Sequence, residues 1–148
     1  MIVTINTDAS LCHKSKIATY AYWIKHTDFL LRGVYKFKEY PNGSTHAEIQ
    51  GVINAMSILA THAQKVKCEI KKVVINCDNM GIKQHITKGK EYKGFYSDFR
   101  QKLNGPKVDF RHVKGHSNDS DARSYVNRVL DMEARNLLRK IKNQNEQQ

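Results

Sequence analysis

Four acidic residues stand where a folded chain could aim carboxylates at one place: Asp8, Glu48, Asp78 and Asp131. Asp8 closes the alternating run Val3-Thr4-Ile5-Asn6-Thr7, and Asp78 closes the run Val73-Val74-Ile75-Asn76-Cys77. Glu48 falls in the first turn of a helical pattern, and Asp131 falls inside another, beside Leu130. Taken one at a time, most have an ordinary reading. An Asp at a strand end makes turns or caps helices, and an acid near a helix N-terminus is favoured by the dipole. Asp131 is harder to explain by folding alone, because Asp is a poor residue for a helix interior. If the two runs are neighbouring strands and the two helices pack over the sheet, all four acids can meet. They could not all stay ionised there without cations, and Mg²⁺, which favours carboxylate and water oxygens, is the natural counter-charge. Two such ions about 3.5–4 Å apart would clamp the attacking and leaving oxygens of a phosphodiester. His116 adds a group that titrates near neutral pH and can carry protons, although an exposed loop histidine is more often a bystander.

The elements that must position these residues are legible in outline. Val3 to Asp8, Ile17 to Lys25 and Leu30 to Phe37 carry alternating, aromatic and β-branched patterns, which predict three strands in an antiparallel meander. Pro41-Asn42-Gly43 is a turn, and Ser44 or Thr45 could cap a helix running to about Ala63. The continuous apolar run from Lys72 to Asp78 predicts a strand buried on both faces. Short helical patterns follow over 79–86 and 89–104, broken by Asn104-Gly105-Pro106, then a fifth strand over 108–113 and a last helix over 124–141. Strands followed by alternating helices and strands predict a five-stranded mixed α/β sheet flanked by helices, in one domain over 1–142. The polar tail 143–148 is expected to be disordered.

Composition narrows the partners. The chain has 148 residues, with 25 Lys or Arg against 14 Asp or Glu, a net charge of +11. A field of that sign gathers anions, nucleic-acid phosphates above all, although a lysine-rich surface can also be a default. Hydrophobic content of 40% fits a folded domain, and no apolar run approaches the length of about 20 residues that a membrane span needs. The start Met1-Ile2-Val3-Thr4-Ile5 lacks a basic leader region, so no signal peptide is expected. Cys12, Cys68 and Cys77 are odd in number and widely spaced, which argues against a disulfide framework or a zinc ribbon. A reducing, cytoplasmic compartment is expected.

Five motifs, in order, together resemble the type 1 ribonuclease H family over about residues 1–141. They are Thr7-Asp8-Ala9-Ser10, Ala47-Glu48, Cys77-Asp78-Asn79, Val113-Lys114-Gly115-His116, and the stretch from Asn127 to Arg135 that holds Asp131, Ala134 and Arg135. The resemblance implies a ribonuclease H-like fold, with the first, fourth and fifth strands of the sheet parallel and its first three strands antiparallel. It implies that Asp8, Glu48, Asp78 and Asp131 bind two Mg²⁺ ions, with Mn²⁺ a possible replacement. It implies that His116 assists proton transfer or product departure, and that Ser10, Ser44, Thr45 and Asn79 touch the substrate. The implied reaction is hydrolysis of the RNA strand of an RNA–DNA hybrid by a monomer, with RNA read through its 2′-hydroxyls.

This chain also departs from the family pattern. Leu11-Cys12-His13-Lys14-Ser15-Lys16 replaces a glycine-rich loop, and Ser44-Thr45 replaces an asparagine pair. The segment between Asp78 and Val113 is too short for a full basic protrusion, and the loop between His116 and Asn127 is lengthened. Such changes bear on substrate more than on metal. They leave room for a nuclease acting on DNA junctions or duplex RNA, or for a non-catalytic nucleic-acid-binding module. Retention of all four acids argues against a pure binder, which would gain by losing charges that repel phosphate.

Overall fold

The computed structural model describes residues 2–113 and 122–146, with the backbone alone for 122–124. Its strands are β1 (Ile2–Cys12), β2 (Ile17–Lys25), β3 (Leu30–Lys36), β4 (Lys72–Cys77) and β5 (Lys107–His112). Its helices are α1 (Ser44–Val66), α2 (Gly81–Lys88), α3 (Lys93–Lys102) and α4 (Ala122–Glu146). The sheet order is β3-β2-β1-β4-β5, antiparallel from β1 to β3 and parallel across β1, β4 and β5. This is the mixed architecture that the element order predicts.

Side-chain alternation divides the sheet into two faces. Val3, Ile5, Tyr20, Tyr22, Ile24, Val73, Ile75 and Phe110 turn toward the larger core, where Val52, Met56 and Leu59 of α1, Ile82 and Ile86 of α2 and Phe99 of α3 close over them. On the other face α4 packs against β1, β2 and β3, burying Leu130 and Ala134 against Ala21. A second tie crosses this interface: the Thr19 hydroxyl, fully buried, donates to the Ala134 carbonyl at 2.6 Å.

Several local expectations need correcting. Asp8 does not end its strand; β1 runs on to Cys12, paired with β2 as far as Cys12–Ile17. The alternation after Asp8 is too polar to reveal this, since Ser10 and Cys12 lie on a half-open face. Neither Ser44 nor Thr45 caps α1. Gly43, with φ 104°, is the N-cap and no side chain caps it; the His46 Nδ1 instead accepts from the Asn42 N–H at 2.9 Å. Glu48 consequently lies beyond the first turn, so the dipole is a weak reason for an acid there. The stretch expected to be a disordered tail begins as helix, because α4 continues to Glu146. Lys, Gln and Glu are good helix formers, and elongating an existing helix costs far less than nucleating one. The predicted break at Asn104-Gly105 is present, with both residues left-handed (φ 62° and 70°).

Candidate active site

Parallel pairing between β1 and β4 ends at Asn6–Asn76, while β1 goes on pairing with β2. Two residues further, Asp8 and Asp78 lie where the strands part, and the sheet opens into a cleft. The cleft has a volume of about 290 Å³ and is lined by Asp8, Ser10, Glu48, Asp78, Asn127, Arg128, Asp131 and Arg135, with Ala9 and Leu11. Its four carboxylates come from β1, α1, the exit of β4 and α4. Larger hollows of about 760 and 820 Å³ lie elsewhere, but neither gathers more than two acids. The smaller cleft is thus where the carboxylates gather.

Crowding shows in the proton affinities. Burial pushes the Asp8 carboxyl up to about 8, helped by the Asp131 charge and a hydrogen bond shared with it, and partly opposed by the Ala9 N–H. Burial likewise pushes Glu48 up to about 7, with the Asp78 charge and a shared hydrogen bond adding to it. The Cys77 thiol rises to about 11, chiefly by burial and then by Asp78 and Glu48. The acids thus meet as two pairs, Asp8 with Asp131 and Glu48 with Asp78. Arg135 holds Asp131 from one turn further along α4, with Nε to Oδ1 at 3.1 Å. Among the described residues, no three His, Cys, Asp or Glu side chains already stand closely enough to hold a metal ion as they are. Carboxylates that hydrogen-bond to one another are in their protonated arrangement, and cations would compete with those protons.

The remaining expected site residues divide. Ser10 lines the cleft. Ser44 and Thr45 lie exposed at the start of α1, outside the cleft lining. Asn79 also stands outside it, and its Oδ1 accepts from the Gly81 N–H at 2.9 Å at the entry to α2. His116 lies outside the described residues. Sequence reading missed two further features. At the tip of the β1–β2 hairpin, the Tyr40 hydroxyl hydrogen-bonds His13 Nδ1 at 2.9 Å and Lys16 Nζ lies 5.3 Å from the Tyr40 ring centre. Behind the cleft, Asn76 Nδ2 donates to Asn6 Oδ1 at 2.9 Å, with both residues buried. Asparagine inside the otherwise apolar run Val73–Cys77 was the available signal for that pair.

No family model matches the sequence, and no curated protein matches it. Structural similarity is extensive. The chain aligns with the crystal structure of RNase H1 from the halophilic archaeon Halobacterium salinarum NRC-1 at a TM-score of 0.63 and 14% identity, covering 95% of this chain and 99% of that one. It aligns with LC11-RNase H1, solved in complex with an RNA/DNA hybrid, at a TM-score of 0.62 and 15% identity, covering 92% and 99%. The chain has the ribonuclease H-like fold that its motifs resemble.

Proposed function

We propose that this protein is a divalent-metal-dependent endonuclease that hydrolyses the RNA strand of RNA–DNA hybrids. The observation that carries the reading is the convergence of Asp8, Glu48, Asp78 and Asp131, from four separate elements, on one cleft of a ribonuclease H-like fold. An all-oxygen donor set with two acids pushed up to about 8 and about 7 suits hard cations, whose charge would offset what now opposes ionisation. Asp8, Glu48, Asp78 and Asp131 would hold two Mg²⁺ ions, or Mn²⁺. When bound, such ions neutralise phosphodiester charge and assist the attacking and leaving oxygens.

The chain's own groups do the rest. Asp8 and Glu48 must surrender their protons before they can bind cations, so activity should rise with pH toward neutrality. Arg135 keeps the Asp131 carboxylate facing the cleft. The Ser10 hydroxyl, at the cleft wall, can donate to or accept from a sugar hydroxyl or phosphate oxygen. His116 serves as the proton carrier, and Ser44, Thr45 and Asn79, outside the cleft lining, would contact the substrate as it extends beyond the cleft. A net charge of +11 draws the polyanion toward the acidic cleft. A structural neighbour bound to an RNA/DNA hybrid supports that choice of substrate. The domain is proposed to act as a monomer; among the described residues no helix is long and apolar enough to cross a membrane.

The test offers an RNA–DNA hybrid, duplex DNA, duplex RNA and a four-way junction to the protein, with Mg²⁺ and with chelator. Mg²⁺-dependent cleavage confined to the RNA of the hybrid supports the reading. Preference for another substrate would redirect it, and binding without cleavage of any of the four would reduce the protein to a binding module.

A further inference from the structure

A row of polar side chains crosses three parallel strands directly behind the carboxylates. Asn6 of β1 is in register with Asn76 of β4, and Asn76 is in register with Arg111 of β5. Residues in register share a face, so all three lie on the α4 side, two residues before Asp8, Asp78 and Val113 respectively. Two residues of strand are about 6.6 Å, so the row sits one rung behind the cleft.

Folding does not explain this row. The neighbours along β4 are Val73, Val74, Ile75 and Cys77, all buried, and a valine at 76 would suit a buried strand better than an amide. Asn76 is 4% exposed and gives its Nδ2 to Asn6, yet its Oδ1 has no hydrogen-bond partner among the described residues. A buried carbonyl oxygen left unpaired is costly. Its amide nitrogen is engaged toward β1, and on the β5 side Arg111 is the neighbour in register. Arg111 lies at an exposed edge, its Nε 3.5 Å from Asp109 Oδ2, with side-chain exposures of 38% and 41%. Asp109 is shared with Lys72 at 4.0 Å. A guanidinium has five donors and can serve an amide oxygen and a second acceptor together.

We propose that Arg111 binds a phosphate of the nucleic-acid strand lying in the cleft, and that Asn76, braced by Asn6, positions it. The proposal rests on the hybrid-nuclease reading above. Arg111 supplies a fixed cation one rung from Asp78, where a polyanion must approach a cluster of acids. The Asn76 Oδ1 accepts one guanidinium N–H and so holds the remaining donors toward the phosphate. Asp109 competes for the same group when no nucleic acid is present.

The test measures binding of a fluorescent hybrid across a salt series, in chelator and, in parallel, with Mg²⁺ on an Asp78→Asn background. Log affinity falls with log salt by about 0.9 per phosphate contact on B-form DNA, a guide for a hybrid. Arg111→Ala should weaken binding and reduce the slope by about that amount. Asp109→Asn, which frees the guanidinium, should tighten binding. Asn76→Val, and Asn6→Val/Asn76→Val if the single variant folds poorly, should weaken binding but add nothing on top of Arg111→Ala. Wild-type affinity and slope in Arg111→Ala would overturn the phosphate contact. Full additivity of Asn76→Val with Arg111→Ala would overturn the positioning role. Failure of the unmodified protein to bind hybrid in either condition would overturn the hybrid reading and this inference together.

Discussion

The Thr19 hydroxyl donates to the Ala134 carbonyl at 2.6 Å, fastening α4 near the start of β2 one turn beyond Asp131. Leu130 and Ala134, both fully buried, flank Asp131 on the same interface. The fourth carboxylate is therefore carried by a helix that is anchored on either side of it. Thr19→Val keeps the shape but removes the donor, and should cost about 0.5–1.5 kcal/mol of stability. Denaturant unfolding measures that loss. Cleavage should fall more than stability does, because a small shift of α4 displaces Asp131.

Proton affinities at the cleft predict how stability depends on pH. Asp8 and Glu48 ionise at about 8 and about 7 in the fold, against reference values of 3.8 and 4.5. The folded state therefore binds more protons than the unfolded chain between those limits. Without metal, stability is fullest below about pH 4 as far as these groups are concerned, and declines as pH rises toward 8. Asp8→Asn should flatten that decline. Mg²⁺ should raise the melting temperature more at pH 8 than at pH 5, because only the ionised carboxylates bind it. Thermal melts at the two pH values, with chelator and with Mg²⁺, check both statements.

His116 tests the division of labour. A proton carrier supplies about 10²–10⁴-fold, with the charge-neutralising site supplying the rest. His116→Ala should lower turnover within that range and leave Mg²⁺ binding, followed by calorimetry, unchanged. Wild-type turnover would reduce His116 to a loop histidine.

Substrate grip should be dispersed and sensitive to salt. Lys83, Lys88, Lys90 and Lys93 are all exposed along α2 and the start of α3, and Lys14 and Lys16 crown the β1–β2 hairpin. Each phosphate contact contributes a slope of about −0.9 in log affinity against log salt on a B-form duplex. Hybrid and duplex DNA of one sequence should bind comparably across a salt series, with discrimination expressed mainly at cleavage. Strong hybrid-selective binding that hardly responds to salt would point to a recognition surface other than these lysines.

How much of this was legible in the sequence follows from what local pattern can encode. Val73, Val74 and Ile75 announce a buried strand, and the alternation of Val3 and Ile5 announces a half-buried one. Asp78 just past the end of one and Asp8 further along the other were therefore placeable, and the family-like motifs tied them to Glu48 and Asp131. The continuation of β1 through Ala9–Cys12 was not legible, because it depends on pairing with Ile17–Tyr20 and not on its own periodicity. Nor was the capping of α1, which Gly43 and His46 settle through backbone geometry although Ser44 and Thr45 are the better cap types. The row Asn6-Asn76-Arg111 required the register of three strands, a non-local quantity. The extension of α4 to Glu146 reflects propagation from a packed helix into residues that read as polar tail.

The central claim is that Asp8, Glu48, Asp78 and Asp131 act as one metal-dependent site. The most direct measurement is cleavage of a labelled RNA–DNA hybrid by the unmodified protein, Asp78→Asn, Asp131→Asn and Asp121→Asn, each with Mg²⁺ and with chelator, alongside thermal melts of the metal-free proteins. Cleavage by the unmodified protein should require Mg²⁺. It should vanish in Asp78→Asn and Asp131→Asn, persist in Asp121→Asn, and leave the two inactive variants folded and at least as stable without metal, since each relieves crowding among like charges. Full Mg²⁺-dependent cleavage by Asp131→Asn together with loss in Asp121→Asn, or cleavage undiminished in Asp78→Asn, would contradict the account.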